Sequence, residues 1–182
     1  MYKSKLAPLA LALFVSSPAF SAEEEPATRN DVTVMVGRVG FSSHDDASAN
    51  GNGFAIGVHK EINKIVGISA RYARHELLAT GVTGEIGTFG AYPEFGYRFD
   101  LNNAVSVKPY VMVGIENNIL GYTDYWQRHD FSVISFAKGL GIRAEFNDKV
   151  TLSIDIKRAD IEIADDYYVD STISSLMLGV KF

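Results

Sequence analysis

Between residues 105 and 116 the chain alternates without interruption. Val105, Val107, Pro109, Val111, Val113 and Ile115 take one parity, and Ser106, Lys108, Tyr110, Met112, Gly114 and Glu116 take the other. In an extended strand successive side chains point to opposite faces, so this segment has one apolar face and one face of small, polar and charged groups. The pattern recurs. Residues 65–76 set Val66, Ile68, Ala70 and Tyr72 against Gly67, Ser69, Arg71, Ala73 and His75. Residues 83–100 set Phe89, Ala91, Pro93, Phe95, Tyr97 and Phe99 against Thr88, Gly90, Tyr92, Glu94, Gly96 and Arg98. The stretch 171–182 sets Leu176, Leu178, Val180 and Phe182 against Ser175, Met177, Gly179 and Lys181. A chain of such segments has two solutions. A soluble barrel or sandwich turns the apolar faces into a core, and a transmembrane barrel turns them out to lipid and keeps the polar faces inside.

The connections separate the two. Roughly eight alternating segments are expected, at 31–42, 52–61, 65–76, 83–100, 104–117, 129–146, 150–161 and 171–182, each near the length of a tilted membrane-crossing strand. The links at 62–64, 101–103 and 147–149 are short and carry Asn or Asp, which tolerate tight turns. Those at 43–51, 77–82, 118–128 and 162–170 are longer. Short turns at one end and long loops at the other belong to outer-membrane barrels. The polar faces are also rich in Gly, which weakens a solvent-facing strand but makes room inside a narrow barrel. The apolar faces carry Tyr97, Phe99, Phe146 and Phe182 beside the short turns, as an interfacial aromatic girdle requires. Pro93 and Pro109 fall inside strands, and each removes a ladder donor. A local bulge is expected there.

The first residues fit export. Lys3 and Lys5 precede an apolar stretch at 6–15, and Ala19-Phe20-Ser21 is a small-x-small cleavage site. A signal peptide over 1–21 is expected, followed by a short acidic leader over 22–30 containing Glu23, Glu24 and Glu25, and a barrel over 31–182. Loss of Lys3 and Lys5 takes the formal net charge from −5 to about −7, which disfavours nucleic-acid binding. The absence of Cys excludes a disulfide framework.

With Thr33-Val34-Met35-Val36-Gly37 at the start, Gly96-Tyr97-Arg98-Phe99 in the middle and Leu178-Gly179-Val180-Lys181-Phe182 at the end, the chain resembles the small eight-stranded outer-membrane proteins of the OmpX/Ail type and the transmembrane domain of OmpA. The resemblance spans the mature chain. It implies an all-β, eight-stranded antiparallel up-and-down transmembrane β-barrel in the outer membrane. It also implies insertion by the barrel-assembly machinery, which reads the C-terminal strand and its final aromatic. It does not imply one function, because members serve as adhesion factors, structural proteins and lipid A-modifying enzymes.

An eight-stranded barrel is just wide enough for side chains to fill. Parity puts Arg71, Glu94, Arg98, Lys108, Glu116, Arg143, Asp155 and Lys157 in the lumen, with His59 beside them. Buried charges must pair, so an ion-pair network plugging the lumen is expected, with Glu94 diagonal to Lys108 and Asp155 diagonal to Arg143. A gated ion path through that network is the alternative.

Four cations fall on the apolar parity: Arg74, Lys138 and Arg158, and Arg38 if Val32, Val34 and Val36 face lipid. Each is about 20 Å above the short-turn end, near the top of an apolar band roughly 25 Å tall. Contact with lipopolysaccharide phosphates is expected of all four; the alternatives are unspecific snorkelling to the interface or a bulge that turns Lys138 inward. Tyr122, Tyr125, Trp126, Tyr167 and Tyr168 are expected in the long loops as contacts for a host or surface ligand. Loop carboxylates lack the spacing of a defined calcium motif, and neither metal nor cofactor is expected. His129 and Ser132 fall on opposite strand faces, poor geometry for a nucleophile and its base, and His75 is the remaining candidate. The reading is therefore a non-enzymatic envelope protein with a structural or surface-interaction role. Its alternatives are a soluble periplasmic ligand-binding barrel, a lipid A-modifying enzyme and a narrow channel.

Overall fold

A computed structural model describes residues 32–43, 50–79, 82–123, 128–164 and 167–182. They form β1 (Val32–Ser43), β2 (Asn50–Glu61), β3 (Val66–Ala79), β4 (Val82–Gly96), β5 (Phe99–Asn102), β6 (Val105–Thr123), β7 (Arg128–Phe146), β8 (Val150–Ala164) and β9 (Tyr167–Lys181). Every ladder is antiparallel, each strand pairs with its sequence neighbours except that β4 and β5 both pair with β6 and not with each other, and β1 pairs with β9. The sheet therefore closes on itself. β4 and β5 are one stave of the wall: Gly96 faces Tyr110 and Phe99 faces Val107 in unchanged register. The barrel has eight staves. Phe182 completes the seam, where the Val32 N–H donates to the Phe182 carbonyl at 3.2 Å and the Phe182 N–H donates back at 3.0 Å.

The apolar faces point outward. Phe95, Val111 and Ile154 are 46%, 56% and 56% exposed, whereas Glu94 and Lys108 are 0% and 2% exposed. This is the reverse of a soluble ligand-binding barrel, and that alternative is overturned. β1 resolves in the same sense, with Met35, Val39 and Phe41 buried and Val32, Val34, Val36 and Arg38 outward.

Three expectations about the backbone are corrected. Pro93 and Pro109 cause no bulge. The β4–β6 ladder skips the pairs at which a proline has no N–H to give, and resumes in the same register. The shift lies lower, between Asp100 and Asn102. Lys138 is not turned inward either, because β6–β7 runs from Val105↔Phe146 to Thr123↔Arg128 without a shift and leaves Lys138 exposed. Finally, the strands continue into the expected long loops. Tyr122 lies in β6, and Tyr167 and Tyr168 lie in β9; Tyr125 and Trp126 lie outside the described residues.

The short turns owe their shape to their polar residues. Asn63 Oδ1 accepts from the N–H groups of Ile65 and Val66, both at 2.8 Å. Asn102 Oδ1 accepts from the Ala104 N–H at 2.8 Å. Asn147 and Asp148 both take positive φ, 51° and 53°, and the Lys149 N–H closes onto the Phe146 carbonyl at 3.1 Å. That is the primed two-residue turn whose twist matches a right-handed hairpin.

Candidate functional site

The lumen is layered. Nearest the short turns, Lys181 meets Glu145 at 3.3 Å. Above them Lys108 pairs with Glu61, whose second oxygen lies 3.0 Å from His59 Nε2. In the next layer Arg143 donates through Nη1 and Nη2 to the two oxygens of Glu94, at 2.7 and 3.1 Å, and its guanidinium lies over the Tyr110 ring at 4.9 Å. Arg71 donates to Asp155 at 2.7 Å, and Ser175 and Tyr110 donate to the same carboxylate at 2.7 and 3.2 Å. Arg71 also approaches Glu94 at 3.8 Å. Higher still, Lys157 pairs with Glu116, and Tyr92 donates to Glu116 while accepting from Lys157 at 2.7 Å. Thr88, Asn118 and Ser135 form a hydrogen-bonded chain above, each link 2.8 Å.

An apolar layer closes the top: Phe41, Ile86, Leu120, Ile161 and Ile173, with Phe131 and Val133 against them. His75 is buried at its edge, its ring centroid 5.9 Å from that of Phe41. Between this layer and the ion pairs lies a cavity of about 10 Å³ bordered by Arg71, Tyr92, Asp155 and Lys157. That is room for about one water.

The network differs from the expected one in its pairing. Glu94 does not reach Lys108. The turn sits at Asn103 and Ala104, not at 101–103, so Glu94 faces Met112 and Lys108 is four residues away along β6. Lys108 turns to Glu61 instead. Asp155 is diagonal to Arg143, as the β7–β8 register requires, but both side chains reach across the lumen to other partners. Arg98 is corrected too. The ladder is interrupted beside it, it lies half-buried at the lip, and its Nε meets the exposed Asp100 at 3.4 Å. Glu61 shares the parity of His59 but lies at the edge of a turn. Tyr92 and Tyr110 were legible only as fillers, and their roles depend on three strands at once. The glycines across from them are the counterpart: a Cβ at Gly114 would lie 2.5 Å from the Tyr92 ring, and one at Gly141 2.6 Å from the Tyr110 ring.

On the outer wall Arg38, Arg74, Lys138 and Arg158 are all exposed. Arg74 pairs with Glu85, an outward neighbour on β4. Lys138 and Arg158 stand directly opposite each other on β7 and β8. Ser132 also faces outward and donates to Asn117 at 2.6 Å. His75 lies on the other side of the wall, and the His129 side chain is outside the described residues, so no described Ser–His pair is assembled.

The family model described as an outer membrane protein beta-barrel domain matches residues 7–182. Among solved structures the chain is similar to Neisserial surface protein A, with 20% identity over 83% of this chain and 97% of that one and a TM-score of 0.70. It is similar to the attachment invasion locus protein Ail of Yersinia pestis, in complex with the heparin analogue sucrose octasulfate, with 19% identity, 84% and 98% coverage and a TM-score of 0.57. The outer membrane protein OprG of Pseudomonas aeruginosa gives 13% identity, 84% and 96% coverage and a TM-score of 0.60. At these identities the likeness is one of fold. No curated protein sequence matches the chain.

Proposed function

The chain belongs to the outer membrane protein beta-barrel domain family, and from that premise we propose that it is a non-conducting envelope protein that presents its long-loop end to a surface ligand. One observation carries the reading. Among the described residues the five lumen cations Arg71, Lys108, Arg143, Lys157 and Lys181 are matched by five carboxylates, Glu61, Glu94, Glu116, Glu145 and Asp155. A lumen filled by mutually paired charges supports a plug better than a path. The work of the molecule then falls to its outer end, where the β6–β7 hairpin carries strands of 19 residues each. The sucrose octasulfate complex of Ail makes sulfated glycans a first probe for that end.

The narrow-channel reading keeps one supporting feature, because ion pairs can exchange partners where an apolar core cannot. Planar-bilayer recording of the refolded protein in 1 M salt separates the two. No unitary steps are expected for the wild type, and regular steps abolished by Glu94→Leu with Arg143→Met would establish a channel. Binding of intact cells to immobilised heparin or matrix protein tests the outer end. Exchange of residues 122–127 for a Gly-Ser linker should remove that binding while the barrel still assembles.

A further inference from the structure

The outer wall is not uniform around its circumference. A groove of about 410 Å³ lies across β8, β9, β1 and β2, and small or polar outward residues shape it: Gly40, Ser42, Asn52, Thr172 and Ser174. Ile156 lines its lower side, and the apolar residues Leu176 and Ile154 continue the lipid-facing band beneath. The register fixes its neighbours. Arg158 faces Thr172, Lys138 faces Arg158, and Arg38 faces Leu176 two residues below the Gly40↔Ser174 pair.

Arg38, Lys138 and Arg158 have no acidic partner among the described residues, whereas Arg74 on β3, the stave next to β2, is occupied by Glu85. Like charges directly opposite on neighbouring strands destabilise a sheet. An external anion at the Lys138–Arg158 pair would offset that cost. One step higher Asp160 faces Asp170.

We propose that this face, from β7 round the β1–β9 seam to β2, is a seat for one phosphorylated glycolipid of the outer leaflet. Its acyl chains lie on Ile154, Ile156 and Leu176, its sugar sits in the hydroxyl- and amide-lined groove, and its phosphate is shared by Arg158 and Lys138 with Arg38 at the lower rim. Guanidinium geometry suits a phosphate, and long cationic side chains at the top of an apolar band extend readily to the headgroup level. A groove of this volume is in the range of small-molecule sites, and its hydroxyl and amide lining favours a sugar over the simple headgroup of a phospholipid. Arg74 is excluded from the site by its own ion pair. The proposal rests on the family's membrane placement and not on the surface-ligand reading.

The test uses the full mature barrel in phosphatidylcholine nanodiscs doped with bisphosphorylated lipid A, with the same lipid A stripped of phosphate, or with phosphatidylglycerol. Native mass spectrometry counts the lipid retained per barrel, and heat-modifiable gel mobility confirms folding. One bisphosphorylated lipid A per wild-type barrel is expected, with dephosphorylated lipid A and phosphatidylglycerol retained at least tenfold less. Arg38→Gln with Arg158→Gln, and separately Asn52→Trp to fill the groove, should each reduce retention about tenfold, and Arg74→Gln should not. Equal retention of phosphatidylglycerol would overturn the seat in favour of unspecific attraction to cations. Full retention by the folded double variant or by Asn52→Trp would also overturn it.

Discussion

Glu94 holds the centre of the lumen. It accepts two hydrogen bonds from Arg143, lies 3.8 Å from Arg71 and 3.5 Å from His59 Nδ1, and has no exposure to solvent. Removing one member of such a pair leaves an uncompensated buried charge, which costs about 3–5 kcal/mol. Glu94→Gln should therefore lower the unfolding free energy of the refolded barrel in detergent by about that amount, measured from the urea midpoint. Replacing the pair together, as Glu94→Leu with Arg143→Met, should cost clearly less, because the double change strands neither charge and Arg71 keeps Asp155. A double variant as unstable as the single one would mean that Arg143 matters for shape and not for charge. Arg71, Glu94, Lys108, Glu116, Arg143, Asp155 and Lys157 could be read from parity alone, but Glu61 and the two tyrosines could not, and neither could the partners. Pairing across a lumen depends on the registers of ladders that share no hydrogen bonds, and a β4–β6 register shifted by two residues from the expected one was enough to send Lys108 from Glu94 to Glu61.

At the scale of elements, the existence of the short turns was legible because their polar residues perform local tasks, although the turn expected at 101–103 forms at Asn103 and Ala104. Asn63 and Asn102 hydrogen-bond to backbone groups within three residues, and Asn147 and Asp148 accept left-handed backbone conformations. The strand tops were not legible, for the opposite reason. Asn117 and Asn118 look like the start of a loop, yet Asn118 bonds to Thr88 and Ser135 inside the wall while Asn117 accepts from Ser132 outside it. Cross-strand partners distant in sequence override a local preference for turns, and so the strands run on past the expected loop starts. The Asn147–Asp148 turn offers a clean test. Gly takes a positive φ at no steric cost, and Asn-Gly is the preferred pair for a primed turn. Asp148→Gly should stabilise the β7–β8 hairpin by a few tenths to about 1 kcal/mol, seen as a higher urea midpoint. Asp148→Val, which is β-branched at a positive φ, should lower it. Equal midpoints for the two variants would show that this turn forms too late, or matters too little, to influence the barrel.

For the whole molecule the governing fact is the solvent on each side of one wall. A ring of apolar residues that includes Val36, Phe95, Val111, Ile142, Ile154 and Leu178 faces out. Aromatic side chains bound it below at Tyr97, Phe99, Phe146 and Phe182, and the cations Arg38, Arg74, Lys138 and Arg158 lie in its upper half, where Phe136 and Ile134 continue it above Lys138 on β7. In water such a ring would be an aggregation surface far larger than the few hundred Å² a monomer tolerates; in a bilayer it is the matched face. The two environments differ in what they do to an added charge. Val111 lies mid-way up the band, and Ser132 lies above the level of Lys138 on the next stave. Both are exposed on the outer wall. In a bilayer an Arg on the lipid face costs roughly 2–4 kcal/mol at the midplane and about 0–1 kcal/mol near the interface. Val111→Arg should therefore lose roughly 2–4 kcal/mol in urea unfolding from phosphatidylcholine vesicles, and Ser132→Arg about 1 kcal/mol or less. In water two exposed positions would respond alike. Equal losses at Val111 and Ser132 would place the apolar band outside the hydrocarbon, and a depth-graded loss ties the alternation in the sequence to the bilayer that selects it.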